Sequence, residues 1–225
     1  MTLSIDATAT VWSRTPVAEK PLIVLMHGMG SNEQDLAGFA HLLPDEYATA
    51  SLRAPLPLKG GYAWFTPSQT PGQPEPADVV AAAQAALEWI DLNVSPSTPI
   101  ALLGFSQGGA MVSQLLRTRP ERFIAGVMLS GFISEVDLDT DGAFKEAQLP
   151  IFIGRGDSDP IIPLERFENA AEWLHERSLL TEVVYNGMAH GICEPELVNF
   201  VHFLEYAITP ENDAYTAFLA RTQES

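Results

Sequence analysis

The residues best suited to chemistry lie in Gly104-Phe105-Ser106-Gln107-Gly108-Gly109. An apolar run, residues 99–103, precedes them, and a helix-like stretch, residues 110–116, follows. Strand, G-x-S-x-G and helix in that order form a sharp turn that holds its serine in a strained backbone with the hydroxyl outward. Gly104 and Gly108 let strand and helix approach, and Gly109 adds room. The helix that starts after Ser106 aims its N-terminal dipole and free N–H groups at the same point. Such a serine is a candidate nucleophile.

A serine hydroxyl is weak near neutral pH, so it needs a base within hydrogen-bond reach and a group to orient that base. Of the five histidines, His41, His175 and His202 fall in helix-like stretches, and His27 precedes a glycine turn that it is expected to shape. His190 alone follows the last apolar strand in a Gly-flanked loop, and it is the candidate base. Asp157 and Asp159 both follow an earlier strand. Either can be a turn former. Asp159 is favoured because Pro160 restricts it to extended geometry, with Asp157 in reserve. Two N–H donors are required for a developing oxyanion. The backbone of Gln107, directly after the serine, supplies one. Met29, in His27-Gly28-Met29-Gly30, is the natural second. No cluster has metal-ligand spacing and no phosphate-cradling G-x-x-x-x-G-K occurs, so neither metal nor cofactor is expected.

These residues need a scaffold. Residues 22–26, 123–130 and 150–154 are continuous apolar runs, as in strands buried on both faces. Residues 3–13 alternate apolar and polar and predict a half-exposed strand; residues 47–53 and 182–185 are further strands. Helices are predicted after Asn32, with Leu36, Phe39, Ala40 and Leu43 inward, and over 77–93, 164–178 and 196–207. The Pro/Gly-rich stretch 54–76, with Trp64-Phe65, reads as a functional loop. Asp137, Asp139 and Asp141 are expected to be solvated, and the stretch beyond Pro210 is left open between a further helix and a frayed end. Alternating strands and helices predict a mostly parallel sheet covered on both faces, in one α/β domain spanning residues 1–225. Functional loops of such sheets gather at the carboxyl ends of the strands, where Ser106, Met29, Asp159 and His190 all fall.

The net charge of −17 would repel phosphate backbones and anionic lipid, so neither nucleic acid nor stable membrane association is expected. The N-terminal residues lack a basic, then apolar, leader, and no run approaches the ~18 apolar residues of a membrane span. With Cys193 as the sole cysteine, no intramolecular disulfide forms, and a cytoplasmic setting is the expectation.

Taken together, several motifs resemble the carboxylesterase/acyl-protein thioesterase family of α/β-hydrolases, in particular its bacterial carboxylesterase branch. They are His27-Gly28-Met29-Gly30-Ser31-Asn32-Glu33 with Asp35-Leu36, Arg53-Ala54-Pro55, Gly61-Tyr62-Ala63-Trp64-Phe65, the Ser106 motif, Gly156-Asp157-Ser158-Asp159-Pro160 with Pro163, and Met188-Ala189-His190. The resemblance covers nearly the whole chain. It implies an α/β-hydrolase fold without a cap domain, the chain order Ser…Asp…His, and Asp159 as the acid. Arg155 stands where many members carry histidine. The implied activity is cofactor-free hydrolysis of short- to medium-chain carboxylic esters through an acyl-enzyme, on a small-molecule acyl ester. Trp64, Phe65, Phe132, Ile161 and Ile192, with Met29, would line the acyl site. Thioester, peptide or lactone hydrolysis on the same fold is the alternative, and a non-catalytic binding protein is a reading from another class. A homodimer is compatible with the chain.

Overall fold

The computed structural model describes residues 3–16, 20–43 and 47–208; the stretch beyond Pro210 lies outside them. Among the described residues nine strands and five α-helices follow in order: β1 (Val11–Trp12), β2 (Leu22–Met26), β3 (Ala48–Leu52), β4 (Leu56–Leu58), β5 (Gly61–Ala63), α1 (Pro76–Asn93), β6 (Ile100–Phe105), α2 (Gln107–Thr118), β7 (Ala125–Leu129), α3 (Asp141–Ala147), β8 (Pro150–Gly156), α4 (Leu164–His175), β9 (Leu179–Tyr185) and α5 (Glu194–Ala207). Seven strands form one sheet in the order β1-β3-β2-β6-β7-β8-β9, and β4 and β5 form a separate hairpin. Only β1 runs antiparallel in the large sheet.

The continuous apolar runs follow from two-sided burial. In β2, Leu22, Val24 and Met26 join a core with α1, α2 and α4. Ile23 and Leu25 join a second core, with Leu36 and with Phe200 and Leu204 of α5. Successive side chains of a strand leave on opposite faces, so both sets must be apolar. The register then sets the active edge. Met26 pairs with Leu52 and Gly104, Phe105 with Leu129, and Gly156 with Tyr185. The loops that leave β2, β6, β8 and β9 therefore share one edge of the sheet.

Several elements differ from the sequence expectation. The alternating N-terminal segment is a strand only at Val11–Trp12. The Asp6 side chain accepts hydrogen bonds from both the N–H and the hydroxyl of Thr8 and winds Ala7–Ala9 into a 3₁₀ turn. The helix after Asn32 is likewise a 3₁₀ segment, Leu36–Leu42, with only Leu36 of that segment buried. The stretch 54–76 contains the β4–β5 hairpin. Helix α3 was not expected, and Asp141 at its start is not a solvated side chain: Arg117 grips both its oxygens at 2.8 Å.

Candidate active site

Ser106 sits between β6 and α2 with φ 54° and ψ −115°, a conformation that costs a non-glycine residue about 1–3 kcal/mol. Neighbouring contacts over-determine it. Its N–H donates to the Leu129 carbonyl at 2.8 Å, and its carbonyl accepts the Ala110 N–H at 3.1 Å. The flanking glycines are required by close approach: a Cβ on Gly104 would collide with the Gly108 carbonyl oxygen, and one on Gly108 with the Met26 carbonyl oxygen.

The β9–α5 loop brings His190 over this turn. Its Nε2 lies 3.0 Å from the Ser106 hydroxyl, and its Nδ1 lies 2.7 Å from Oδ2 of Asp159. An ionised carboxylate only accepts, so Nδ1 carries the proton and Nε2 is free to take one from the serine. Asp159 is nearly inaccessible, with its side chain 2% exposed. Its other oxygen accepts the N–H groups of Ile161 and Ile162 at 2.8 and 3.0 Å. Phe105 packs on the imidazole with ring centroids 4.9 Å apart, a support that sequence reading missed.

Asp157 has a different place. Its Oδ1 accepts the Gly187 N–H at 2.7 Å and the Ser158 hydroxyl at 2.9 Å. The first of these bonds leads the causes that lower its pKa. It ties the acid loop to the histidine loop and does not touch His190.

The loop after β2 is rigid beside Ser106. His27 is fully buried, donates from Nδ1 to the Gly28 carbonyl at 2.7 Å and accepts the Ala54 N–H at Nε2, 3.2 Å away. Burial lowers its pKa, which keeps it neutral. Gly30 N–H donates to the Tyr62 carbonyl and Tyr62 N–H to the Ser31 carbonyl, each at 2.8 Å. Arg53 holds Glu33 through two bonds and lies over the Tyr62 ring, and its guanidinium lowers the Glu33 pKa. Among the described residues, no hydrogen-bond acceptor is bound by the backbone N–H of Met29 or of Gln107. For Gln107 this is expected of the first residue of a helix.

A cavity of about 110 Å³ opens at Ser106, lined by Met29, Phe65, Phe132, Ile161 and Ile162 and by the segment from Pro67 to Pro74. Gln107 fixes one wall: its side-chain oxygen accepts the Trp64 N–H at 3.0 Å, and its amide donates to the Phe65 carbonyl at 3.1 Å. The structure therefore places Phe65, Phe132 and Ile161 at the cavity. Two expectations are corrected. Trp64 is fully buried, its indole N–H donating to the His27 carbonyl at 2.8 Å, so it anchors the loop and does not line this cavity. Ile192 packs on the second core, away from the cavity. Pro67, Ser68, Pro71, Gly72 and Pro74 were not singled out as lining residues, although the Pro/Gly composition marked their loop. A larger cleft, about 500 Å³, lies between residues 133–137 and α4 and holds none of Ser106, Asp159 or His190. No cluster of metal-binding side chains occurs among the described residues.

A profile described as phospholipase/carboxylesterase matches residues 8–208. Acyl-protein thioesterase 1 of Kluyveromyces lactis is 30% identical over 212 residues, covering 84% of this chain and 92% of that protein. The thioesterase of the same name from Debaryomyces hansenii is 26% identical, covering 83% and 90%. Among solved structures, the Bacillus cereus carboxylesterase superposes with a TM-score of 0.76 at 20% identity, covering 88% of this chain and 93% of that one. A phospholipase/carboxylesterase from Dyadobacter fermentans gives 0.68 at 25% identity, covering 90% and 97%.

Proposed function

The chain belongs to the phospholipase/carboxylesterase family of α/β-hydrolases, and from that premise we propose that it is a serine carboxylesterase acting on short- to medium-chain acyl esters. The observation that carries the reading is the unbroken path from Ser106 Oγ to His190 Nε2 and from His190 Nδ1 to Asp159, at 3.0 and 2.7 Å.

Ser106 attacks the acyl carbonyl as His190 takes its proton at Nε2. Asp159 holds the tautomer in which Nε2 is the acceptor and balances the imidazolium that forms. The N–H groups of Met29 and Gln107 receive the oxyanion; losing one such donor costs about 3 kcal/mol of transition-state stabilisation. His190 returns the proton to the leaving alcohol. Water, deprotonated by the same imidazole, then releases the acid and restores Ser106. The strained serine backbone keeps the hydroxyl aimed at the bond to be broken, so little rearrangement is needed on binding.

Two features support the chain-length range. The cavity at Ser106 is small and mostly apolar. An apolar cavity of ~150 Å³ accepts a ligand of benzene size, so this one suits a short acyl group. Between β7 and the acid loop the chain holds only the short helix α3 and strand β8, and no cap. A second reading, thioester hydrolysis in the same site, is favoured by the relatives named acyl-protein thioesterases. Hydrolysis of a matched series of oxygen esters and thioesters, from acetyl to palmitoyl, separates the two. A maximum at short acyl groups with oxygen esters preferred supports the first reading, and rising kcat/KM out to palmitoyl thioesters replaces it with the second.

A further inference from the structure

Glu196 takes no part in this chemistry, yet its surroundings are abnormal for a glutamate. It lies in the first turn of α5, is fully buried, and neither carboxyl oxygen has a hydrogen-bond partner. The carboxyl fills the space above Gly154 of β8, where a Cβ would collide with its Oε1. Phe152 borders the same space. Gly154 is itself fixed, since its carbonyl accepts the Ser130 N–H at 2.7 Å. Tyr185 of β9 faces Glu196 electrostatically: its hydroxyl accepts from Asn199, and its pKa is raised chiefly by burial and further by Glu196 and Cys193. Among the described residues no charged side chain acts on Glu196; burial alone raises its pKa, to about 8.

The position matters because both segments that meet here lead into the site. From Gly154 the chain runs up β8 to Asp159; from Glu196 it runs back through the α5 cap to His190. The two segments are laid tightly together. Ser158 N–H donates to the Met188 carbonyl at 3.1 Å, Gly187 N–H donates to Asp157, and Gly156 has no room for a side chain against Met188. Glu196 is the buried contact behind these ties.

We propose that Glu196 is a positioning residue: as a neutral acid it seats α5 on Gly154 and so holds His190 against Asp159 and Ser106, and ionisation loosens that seat. The proposal rests on His190 being the base. A carboxylate at this point has no counter-charge and must draw in water or displace the first turn of α5. The consequence is a loss of activity in mildly alkaline solution that does not arise at the imidazole.

The test compares kcat/KM for phenyl acetate in wild type and Glu196→Gln across pH 6 to 10. The amide reproduces the neutral acid in size. Wild-type kcat/KM should fall at least about tenfold between roughly pH 7 and 9.5, while Glu196→Gln keeps its plateau within about twofold. A parallel fall in both proteins, no fall in wild type, or a folded Glu196→Gln inactive throughout would each overturn the proposal. Should the variant not fold, the infrared carbonyl band of a protonated carboxylic acid decides in wild type. The band should be present at pH 7 and vanish over the range in which activity falls; its absence at pH 7 rejects the idea. Failure of the esterase reading looks different: wild type would be inert to esters and unlabelled by a fluorophosphonate at every pH, which removes both.

Discussion

On the proposed mechanism Ser106, Asp159 and His190 act on one proton, so the effects of removing them should not add. Ser106→Ala should fold normally and lose at least about 10⁴-fold in kcat, because triad members work as a unit. Fluorophosphonate labelling of wild type and its absence in the variant is the direct check. The two aspartates can be ranked from their contacts. Asp159→Asn replaces one of the two carboxylate oxygens with an NH₂ that cannot accept Nδ1–H, which favours the wrong imidazole tautomer; kcat should drop about 10⁴-fold. Asp157→Asn keeps an oxygen to accept the Gly187 N–H and should lose less than about tenfold. Steady-state kinetics with the two variants would reverse the assignment if they ranked the other way. The candidate residues were legible in sequence because each stands at a strand end with few other uses. The choice between the aspartates was not legible in the same way: both follow β8, and only the fold shows that one faces the imidazole and the other the Gly187 amide.

Strands that are buried on both faces announce themselves as apolar runs, which is why β2, β6, β7 and β8 were readable. Short or locally bonded elements were not: the Asp6–Thr8 turn replaces strand with 3₁₀ geometry, and α3 is one of the short elements that carry little periodic signal. The aromatic pair Trp64-Phe65 shows the same limit. Both lie in the bend that follows β5, and sequence does not say which of two adjacent aromatics faces the core. Here the indole N–H meets a buried carbonyl and Phe65 is left for the cavity. The two residues should therefore respond differently to truncation. Phe65→Ala removes cavity wall, so the acyl-length optimum should move up by one or two carbons, each newly buried methylene being worth about 0.8 kcal/mol, or roughly fourfold in kcat/KM. Trp64→Ala should cost about 3–5 kcal/mol of stability and lower activity for all chain lengths alike. Urea denaturation and an ester series on the same two proteins distinguish these outcomes, and an unchanged length profile in Phe65→Ala would remove it from the acyl site.

At the scale of the whole molecule, the displaced pKa values of Glu33, Asp141, His27 and Glu196 pull stability in opposite directions with pH. Glu33 and Asp141 are held low, Glu33 chiefly by Arg53; for Asp141 the bonds from Arg117 and the Leu138 N–H outweigh a burial that acts the other way. Their contributions are complete above the unfolded carboxylate values and are lost as pH falls through the lower folded ones. His27 is also depressed, by burial, so the unfolded chain takes up its proton first and stability declines as pH drops below 6.5. Glu196 works the other way. Its carboxyl titrates from 4.5 in the unfolded chain to about 8 in the fold, so between those values the folded protein holds a proton that the unfolded chain has released, and stability falls as pH rises. The slope approaches about 1.4 kcal/mol per pH unit where Glu196 acts alone. That window is pH 6.5 to about 8, above the histidine and below the folded carboxyl. Self-repulsion of a chain with net charge −17 pushes in the same direction. The stability maximum should therefore lie on the acid side of neutrality, near pH 5 to 6.5 and above the range in which Glu33 and Asp141 lose their charge. Urea midpoints measured at half-unit steps from pH 4 to 9 check this. Glu196→Gln should flatten the decline above neutrality and leave the acid limb intact, because the amide removes the titrating group without touching Glu33, Asp141 or His27. A wild-type midpoint that rises between pH 6.5 and 8 would show that Glu196 is already ionised within the fold, and that the space above Gly154 holds a charge the surrounding residues stabilise.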